Sequence, residues 1–364
     1  MMPFSQPNDR EASSADSRPL VSVVTPFYNT ADYLAECIES VLAQTYREFE
    51  YILLNNCSTD GSLEIADRYA RSDSRIRLQT NPNFLTQVQN YNAALELISP
   101  ASQYTKIVQA DDSIFPRCLE EMVAVAESDP SVGVVSSFVL RGRKVVMDGF
   151  PFTASVVSGR DVCRFQLLGG ARFFASPTTV MYRSDIVRAK QPFYEEGRYF
   201  EDTENCFDLL QDWNFGFVRQ VLTFERDDNE SILSRITALY PNWWMLEHLI
   251  VTRRYGPKFL THNEFERCWF QVESRYLEGL APYFLLVRNR SFWDYNLRGL
   301  ESVRYKLSTT RMRLRAARYL ITFLGHPRAL IRVLSGVLSA VNQRVEALIG
   351  PGKRPAGPQA SSAS

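Results

Sequence analysis

Two adjacent carboxylates, Asp111 and Asp112, close a short apolar run, Tyr104–Val108, inside the stretch KIVQADDSIFP (Lys106–Pro116). Such a run reads as a buried strand, and Pro116 suits the opening of a helix over Arg117–Glu127. In an open α/β sheet, ligands bind outside the carboxyl ends of the strands. Carboxylates there suit a hard cation, Mn²⁺ or Mg²⁺, which prefers oxygen ligands and can in turn hold a diphosphate. The plain alternative is a solvated loop or helix cap. A second acidic group, Glu201-Asp202 with Glu204, precedes a helical stripe of Phe207 and Leu210. A carboxylate at that place can serve as a general base, or simply cap the helix.

These groups are far apart in sequence, so the elements between them must bring them together. Leu20–Phe27 reads as a buried first strand and Phe49–Leu54 as a second. Ile76–Gln79 is a short third strand. Between them lie a helix with Leu34, Ile38, Val41 and Leu42 on one face, and another over Leu63–Ala70. Asn29 or Thr30 is placed to cap the first helix. A third helix, Leu85–Ile98, precedes the strand that carries the two acids. Alternation of this kind with short connections predicts an α/β fold with a mainly parallel sheet and helices on both faces. Right-handed crossovers then place Tyr28, Asn55/Asn56 and Asp111/Asp112 on one edge.

Composition narrows the classes. The 364 residues are 45% hydrophobic and 12% aromatic, with formal net charge +0, so nothing global argues for nucleic acid. Six scattered cysteines without a CxxC pair, and only three histidines, make a Cys/His zinc site a poor fit and suit a reducing cytoplasm. Residues 1–18 and 350–364 read as disordered tails, the first too polar for a signal peptide. No apolar run approaches the ~20 residues of a membrane span.

The segments VSVVTPFYNTADYLAECIESVLAQTY, FEYILLNNCSTDGSLEIADRYA, QNYNAALEL, VQADDSIFPRCLEEMV and RYFEDTENCFDLL together resemble family 2 glycosyltransferases of the GT-A fold. The resemblance covers residues 20–225. It implies an inverting, metal-dependent enzyme moving a sugar from a nucleoside-diphosphate sugar, a UDP-sugar first in expectation, to a hydroxyl of a glycan or lipid-linked acceptor in surface polysaccharide or glycoconjugate synthesis. By that resemblance Pro26, Tyr28 and Asn56 contact the nucleotide base. Gln109-Ala110-Asp111 takes the place of the family's Asp-x-Asp motif, with Asp111 on the metal and Asp112 in support. The base falls in Glu201-Asp202, with Asp202 preferred. Three departures stand out. Asn55 and Asn56 replace two acids, Gln109 replaces the first acid of Asp-x-Asp, and an arginine near the third helix is replaced by Tyr91 or Gln89. They leave a second reading open, a catalytically degenerate sugar-nucleotide-binding or scaffold protein. A nucleotidyltransferase would instead want a Gly-rich, basic phosphate loop after the first strand, which Thr25–Asp32 does not provide.

Gly133–Leu140 and Lys144–Asp148 form a candidate hairpin, and Gly169-Gly170 leads toward a strand over Thr178–Tyr182. The expected division is a GT-A domain over 19–228 and a helical region over 229–349. In the latter, Trp243 and Trp244 either pack as core or stack on an acceptor sugar. Arginines interleave with apolar residues from Arg304 to Arg332, and Val333–Ile349 carries a helical apolar stripe. A basic amphipathic region suits peripheral contact with the inner membrane face, or docking on the domain or a partner.

Overall fold

The computed structural model describes residues 18–174, 176–197, 199–227, 236–237, 239–286 and 290–324. The predicted tails and the stripe over Val333–Ile349 lie outside them.

The chain begins with β1 (Val21–Phe27), α1 (Leu34–Leu42), β2 (Phe49–Asn55), α2 (Ser62–Ser72), β3 (Ile76–Thr80), α3 (Gln87–Leu95) and β4 (Tyr104–Ile107). Every residue of β1 is buried, as expected of a parallel strand covered on both faces. There follow β5 (Ser113–Ile114), α4 (Cys118–Glu127), β6 (Val132–Arg141), β7 (Lys144–Val146), β8 (Val156–Val157), α5 (Gly159–Leu167), β9 (Val180–Arg183), α6 (Ser184–Ala189), α7 (Glu201–Leu209) and β10 (Asn214–Glu225). The sheet order is β3-β2-β1-β4-β9-β6-β10-β5. β3, β2, β1 and β4 run parallel, as do β6 and β10, while β9 runs against both its neighbours. The fold is therefore α/β of GT-A type, with a mostly parallel central sheet. One apolar cluster fills each face, around Val24, Ile107 and Phe217 on one side and Val23, Leu53 and Met122 on the other.

Several boundaries differ from the sequence expectations for visible reasons. α3 starts at Gln87 because Thr86 and Gln89 close a reciprocal capping box. The strand expected over Thr178–Tyr182 is a 3₁₀ turn, Pro177–Thr179, followed by β9. Asn29 and Thr30 do not cap α1, whose N-cap is Tyr33 with no side-chain bond. β5 and β10 have no counterpart among the expectations. The hairpin of β6 and β7 forms as expected. Gly142 at its turn has φ +54, and a Cβ there would lie 2.3 Å from the Asp227 carboxylate oxygens.

The C-terminal region is helical: α8 (Trp243–Phe259), α9 (His262–Leu286), α10 (Arg290–Ser302) and α11 (Thr309–Leu324). It shares a core with the sheet, since Val251, Tyr255, Phe259 and Phe265 belong to the same cluster as Phe207 and Phe215. A further cluster around Leu246, Tyr276 and Met312 joins α8 to α11. Leu314 and Ile321 of α11 are exposed among its arginines. No helix among the described residues is long and apolar enough to cross a membrane.

Candidate active site

The turn after β1 and the loop after β2 are laced together. Asn29, at φ 49, accepts from the Thr59 N–H at 2.8 Å. Ser58, Asp60 and Ser62 accept from the backbone N–H groups of Asn29, Ala31 and Thr30 at 3.1, 3.0 and 2.8 Å. Burial alone would raise the Asp60 carboxyl, but these bonds and one from the Ser62 hydroxyl bring it below its ordinary value. The polar loop read as turn formers is thus a scaffold holding Tyr28 in place.

Asn56 is buried, and its amide ties down the next loop. Its oxygen accepts from the Leu85 N–H at 2.9 Å and the Asn81 amide at 3.1 Å, and its nitrogen donates to the Leu85 carbonyl at 2.8 Å. Asn81 continues to Asn90 of α3. The tethered loop carries Phe84, 60% exposed, whose ring lies edge-on to Tyr28 at 4.8 Å. Phe84 was not among the expected site residues; its signal was an aromatic in an otherwise polar loop. Cys57 in the same loop has φ 60, is only partly buried, and donates to the Asn81 carbonyl at 3.3 Å. The other five cysteines are buried. Pro26 lies inside β1.

At the end of β4 the polar side chains differ in their engagements. Gln109 accepts from the Ser176 hydroxyl at 3.0 Å, and Ala110 is buried. Asp112 is buried, accepting from the Thr178 hydroxyl at 2.6 Å and the Arg226 N–H at 3.3 Å. Burial and the neighbouring Asp111 charge push its carboxyl well up. Asp111 is half-buried, and its carbonyl accepts from the Arg226 side chain at 3.2 Å. Arg226 also reaches Glu36 at 2.8 Å and stacks over Tyr33 at 4.7 Å, so one arginine past β10 fixes the acidic turn against α1. Sequence reasoning missed both Thr178 and Arg226. Among the described residues, no three metal-binding side chains cluster. The donor set is one accessible carboxylate, which fits a divalent cation whose remaining ligands are phosphate oxygens and water.

Tyr91 faces the site from α3, whereas Gln89 turns away to Glu196. Burial, then the Asp111 charge, then Glu201 push the Tyr91 phenol up, so both carboxylates lie within electrostatic reach of this neutral hydroxyl. Glu201 and Asp202 open α7, whose N-cap is Phe200 rather than either acid. Burial, opposed by bonds from Thr203, lifts Asp202 to about 6. Burial and then the Asp202 charge lift Glu201 to about 8, and its Oε2 is buried without a hydrogen-bond partner. Glu204 is ion-paired to Arg254 at 2.7 Å. Trp243 stands behind α7, edge-on to Phe200 at 5.6 Å and donating to Thr237 at 3.1 Å. Trp244 is 45% exposed.

Comparison with known proteins bears on the fold and the family. Residues 22–189 match the profile described as glycosyl transferase family 2. The glycosyltransferase GlyG of Streptococcus pneumoniae serotype 4 is 32% identical over 52% of this chain and 65% of its own length. EpsE of Bacillus subtilis, also named as a glycosyltransferase, is 31% identical over 58% of this chain and 80% of its own length. The chain thus spans just under two thirds of GlyG and four fifths of EpsE. Among solved structures, S. aureus TarS 1–349 in complex with UDP-GlcNAc superposes with a TM-score of 0.59, covering 78% of this chain and 80% of that one at 18% identity.

Proposed function

Because the chain belongs to glycosyl transferase family 2, we propose that it is an inverting glycosyltransferase that takes its sugar from a nucleoside diphosphate and places it on a hydroxyl of a glycan or lipid-linked acceptor. The observation that supports this reading is that Asp111 and Glu201, the neighbour of Asp202 at the start of α7, both lie within electrostatic reach of the Tyr91 phenol. In this reading the diphosphate end of a donor lies beside a carboxylate that can take a proton. Tyr28 and Phe84 form an open aromatic wall for the nucleobase. A UDP-sugar is the donor class favoured, since TarS, of the same fold, was solved with UDP-GlcNAc.

Asp202 is the base in this reading. A base must be ionised to accept a proton, and a carboxyl at about 6 is largely ionised at neutral pH, whereas one at about 8 is not. The acceptor oxygen attacks the anomeric carbon as its proton passes to Asp202. The bond from that carbon to the diphosphate oxygen breaks, and its electron pair leaves with the nucleoside diphosphate. A single displacement inverts the configuration. Asp111 would hold Mn²⁺ or Mg²⁺, which supplies positive charge and a template for the diphosphate. Asp112, already bonded to Thr178 and Arg226, keeps the acidic turn in shape. Tyr91 offers an uncharged donor between the two centres.

The test is thermal stability against a panel of nucleoside diphosphates with and without Mn²⁺. A ligand at 100 times its dissociation constant stabilises by about 2.7 kcal/mol. A shift with one nucleotide, dependent on Mn²⁺ and lost in Asp111→Ala, is expected. The amides at Asn55, Asn56 and Gln109 favour the scaffold reading. It would prevail if a nucleotide bound but the native chain turned over no donor, and Asp202→Asn left binding unchanged.

A further inference from the structure

α11 is amphipathic on two opposite sides. Met312 and Ala316 are buried, Tyr319 is partly buried, and Arg315 reaches Glu278 and the Ser274 hydroxyl of α9. This side docks the helix on α9. Arg311 adds an ion pair to Glu273 at 3.0 Å, and the Tyr305 hydroxyl, just before the helix, donates to the same carboxylate at 2.6 Å. α11 is therefore held in one rotational setting, with its other side toward solvent.

At about 100° per residue, Thr310, Leu314, Ala317 and Ile321 fall on that outer side. All four are exposed, Leu314 by 67% and Ile321 by 72%. Arg313 stands on one margin of this stripe and Arg318 on the other, both exposed, and exposed Leu320 widens it on the Arg313 side. The charge around it is one-sided. α11 holds four arginines and no acid. Between Glu301 and Glu346 the sequence carries nine lysines or arginines and no aspartate or glutamate, although the whole chain balances 41 of each sign. The positive excess is thus local to this end of the sequence, which suits an anionic surface.

We propose that the outer face of α11 lies on an anionic phospholipid bilayer, with Leu314 and Ile321 entering the boundary between headgroups and acyl chains and Arg313 and Arg318 meeting lipid phosphates. An apolar stripe between margins of cations is the pattern of an interfacial helix. Size decides against a protein partner. From Leu314 to Ile321 the stripe runs about 11 Å on a helix about 10 Å wide, far below the ~800 Å² per partner of a standard protein interface. The inference goes beyond the reading of the strand-edge carboxylates. It concerns where the chain works, and it stands whether or not Asp202 is the base.

The test is flotation of the full chain with vesicles of phosphatidylcholine alone or of phosphatidylcholine mixed with phosphatidylglycerol. Binding is expected to the mixed vesicles only, and should weaken as salt rises. Arg313→Gln with Arg318→Gln should weaken it about 25-fold, roughly fivefold for each arginine. Leu314→Gln with Ile321→Gln should weaken it at least about tenfold. The urea midpoint should stay in place in both pairs, since all four side chains are already exposed in the folded chain. Nucleoside diphosphate binding, measured in the same samples, should be unchanged, so a failure at the active site and a failure at this face are read separately. Equal binding to both kinds of vesicle overturns the inference, as does binding to neither. Binding that survives both pairs of substitutions overturns it as well. A dimer in sedimentation that Leu314→Gln with Ile321→Gln dissociates would overturn it by giving the face to a second copy of the chain.

Discussion

At the scale of single residues, environment separates two adjacent carboxyls. Both are raised, so each releases its proton only above the ordinary carboxylate range. Turnover should therefore climb as pH rises through about 6, with an apparent midpoint belonging to the interacting pair. A kcat/KM profile flat from pH ~5 to ~7 would sink Asp202 as base. Asp202→Asn should lower kcat by at least about 10²-fold while leaving nucleotide binding intact. Stability runs the other way. A carboxyl raised in the folded state stabilises fully below its ordinary value of 4.5 and loses that contribution as pH rises through about 8. Glu201→Gln lacks this loss, so urea midpoints of variant and native protein should diverge toward alkaline pH. The sequence pointed to Asp111 because acids that close an apolar run keep a recognisable pattern, and to Glu201 and Asp202 because they precede a helical stripe inside a segment that resembles the family. Phe84 and Arg226 were not legible. Their importance comes from what lies across the fold from them, and a lone arginine or phenylalanine in a loop carries no such address.

At the scale of elements, α7 presents the acids and is held from outside. Arg254 of α8 reaches Glu195 and Glu204 at 2.8 and 2.7 Å, while Lys190 and Lys258 flank Asp208. Glu204 is buried, so Arg254→Ala removes a charge partner from a buried carboxylate and should lower unfolding free energy by about 3 kcal/mol. Arg254→Ala with Glu204→Gln should recover much of that in a double-mutant comparison, and strict additivity of the two would show that the pair is not coupled. β1 to β4 were legible because buried parallel strands read as apolar runs between amphipathic helices. β10 was missed because Asn214–Glu225 mixes aromatics with glycine, arginine and glutamine. It gains its place from pairing with β6 rather than from its own pattern.

For the whole molecule, the shared core joins the sheet to α8 and α9. The boundary expected near residue 228 is a change of architecture, while the packing runs across it. A chain ending at residue 227 would expose Phe207, which packs on Tyr255 at 5.1 Å and Phe259 at 5.8 Å, and would lose part of the shared core. It should fail to give one cooperative urea transition, whereas the full chain should unfold residues of both parts together. Two separate transitions in the full chain would show that the helices fold on their own. The exposed Leu314 and Ile321 among the arginines of α11 agree with a surface that meets an anionic membrane, and vesicle sedimentation that falls with added salt would support that assignment.

The partly buried thiol of Cys57 has a practical consequence. Five of the six sulfhydryls are shut inside the protein, and burial pushes the Cys37 thiol, for one, up to about 12. A maleimide dye should therefore couple once per chain, at a backbone position one residue from Asn56, beside the aromatic wall of Tyr28 and Phe84. The native sequence already holds a site for an optical reporter of nucleotide arrival. Coupling slowed by a nucleoside diphosphate would calibrate it, and coupling indifferent to every nucleotide would show that the base does not reach this loop.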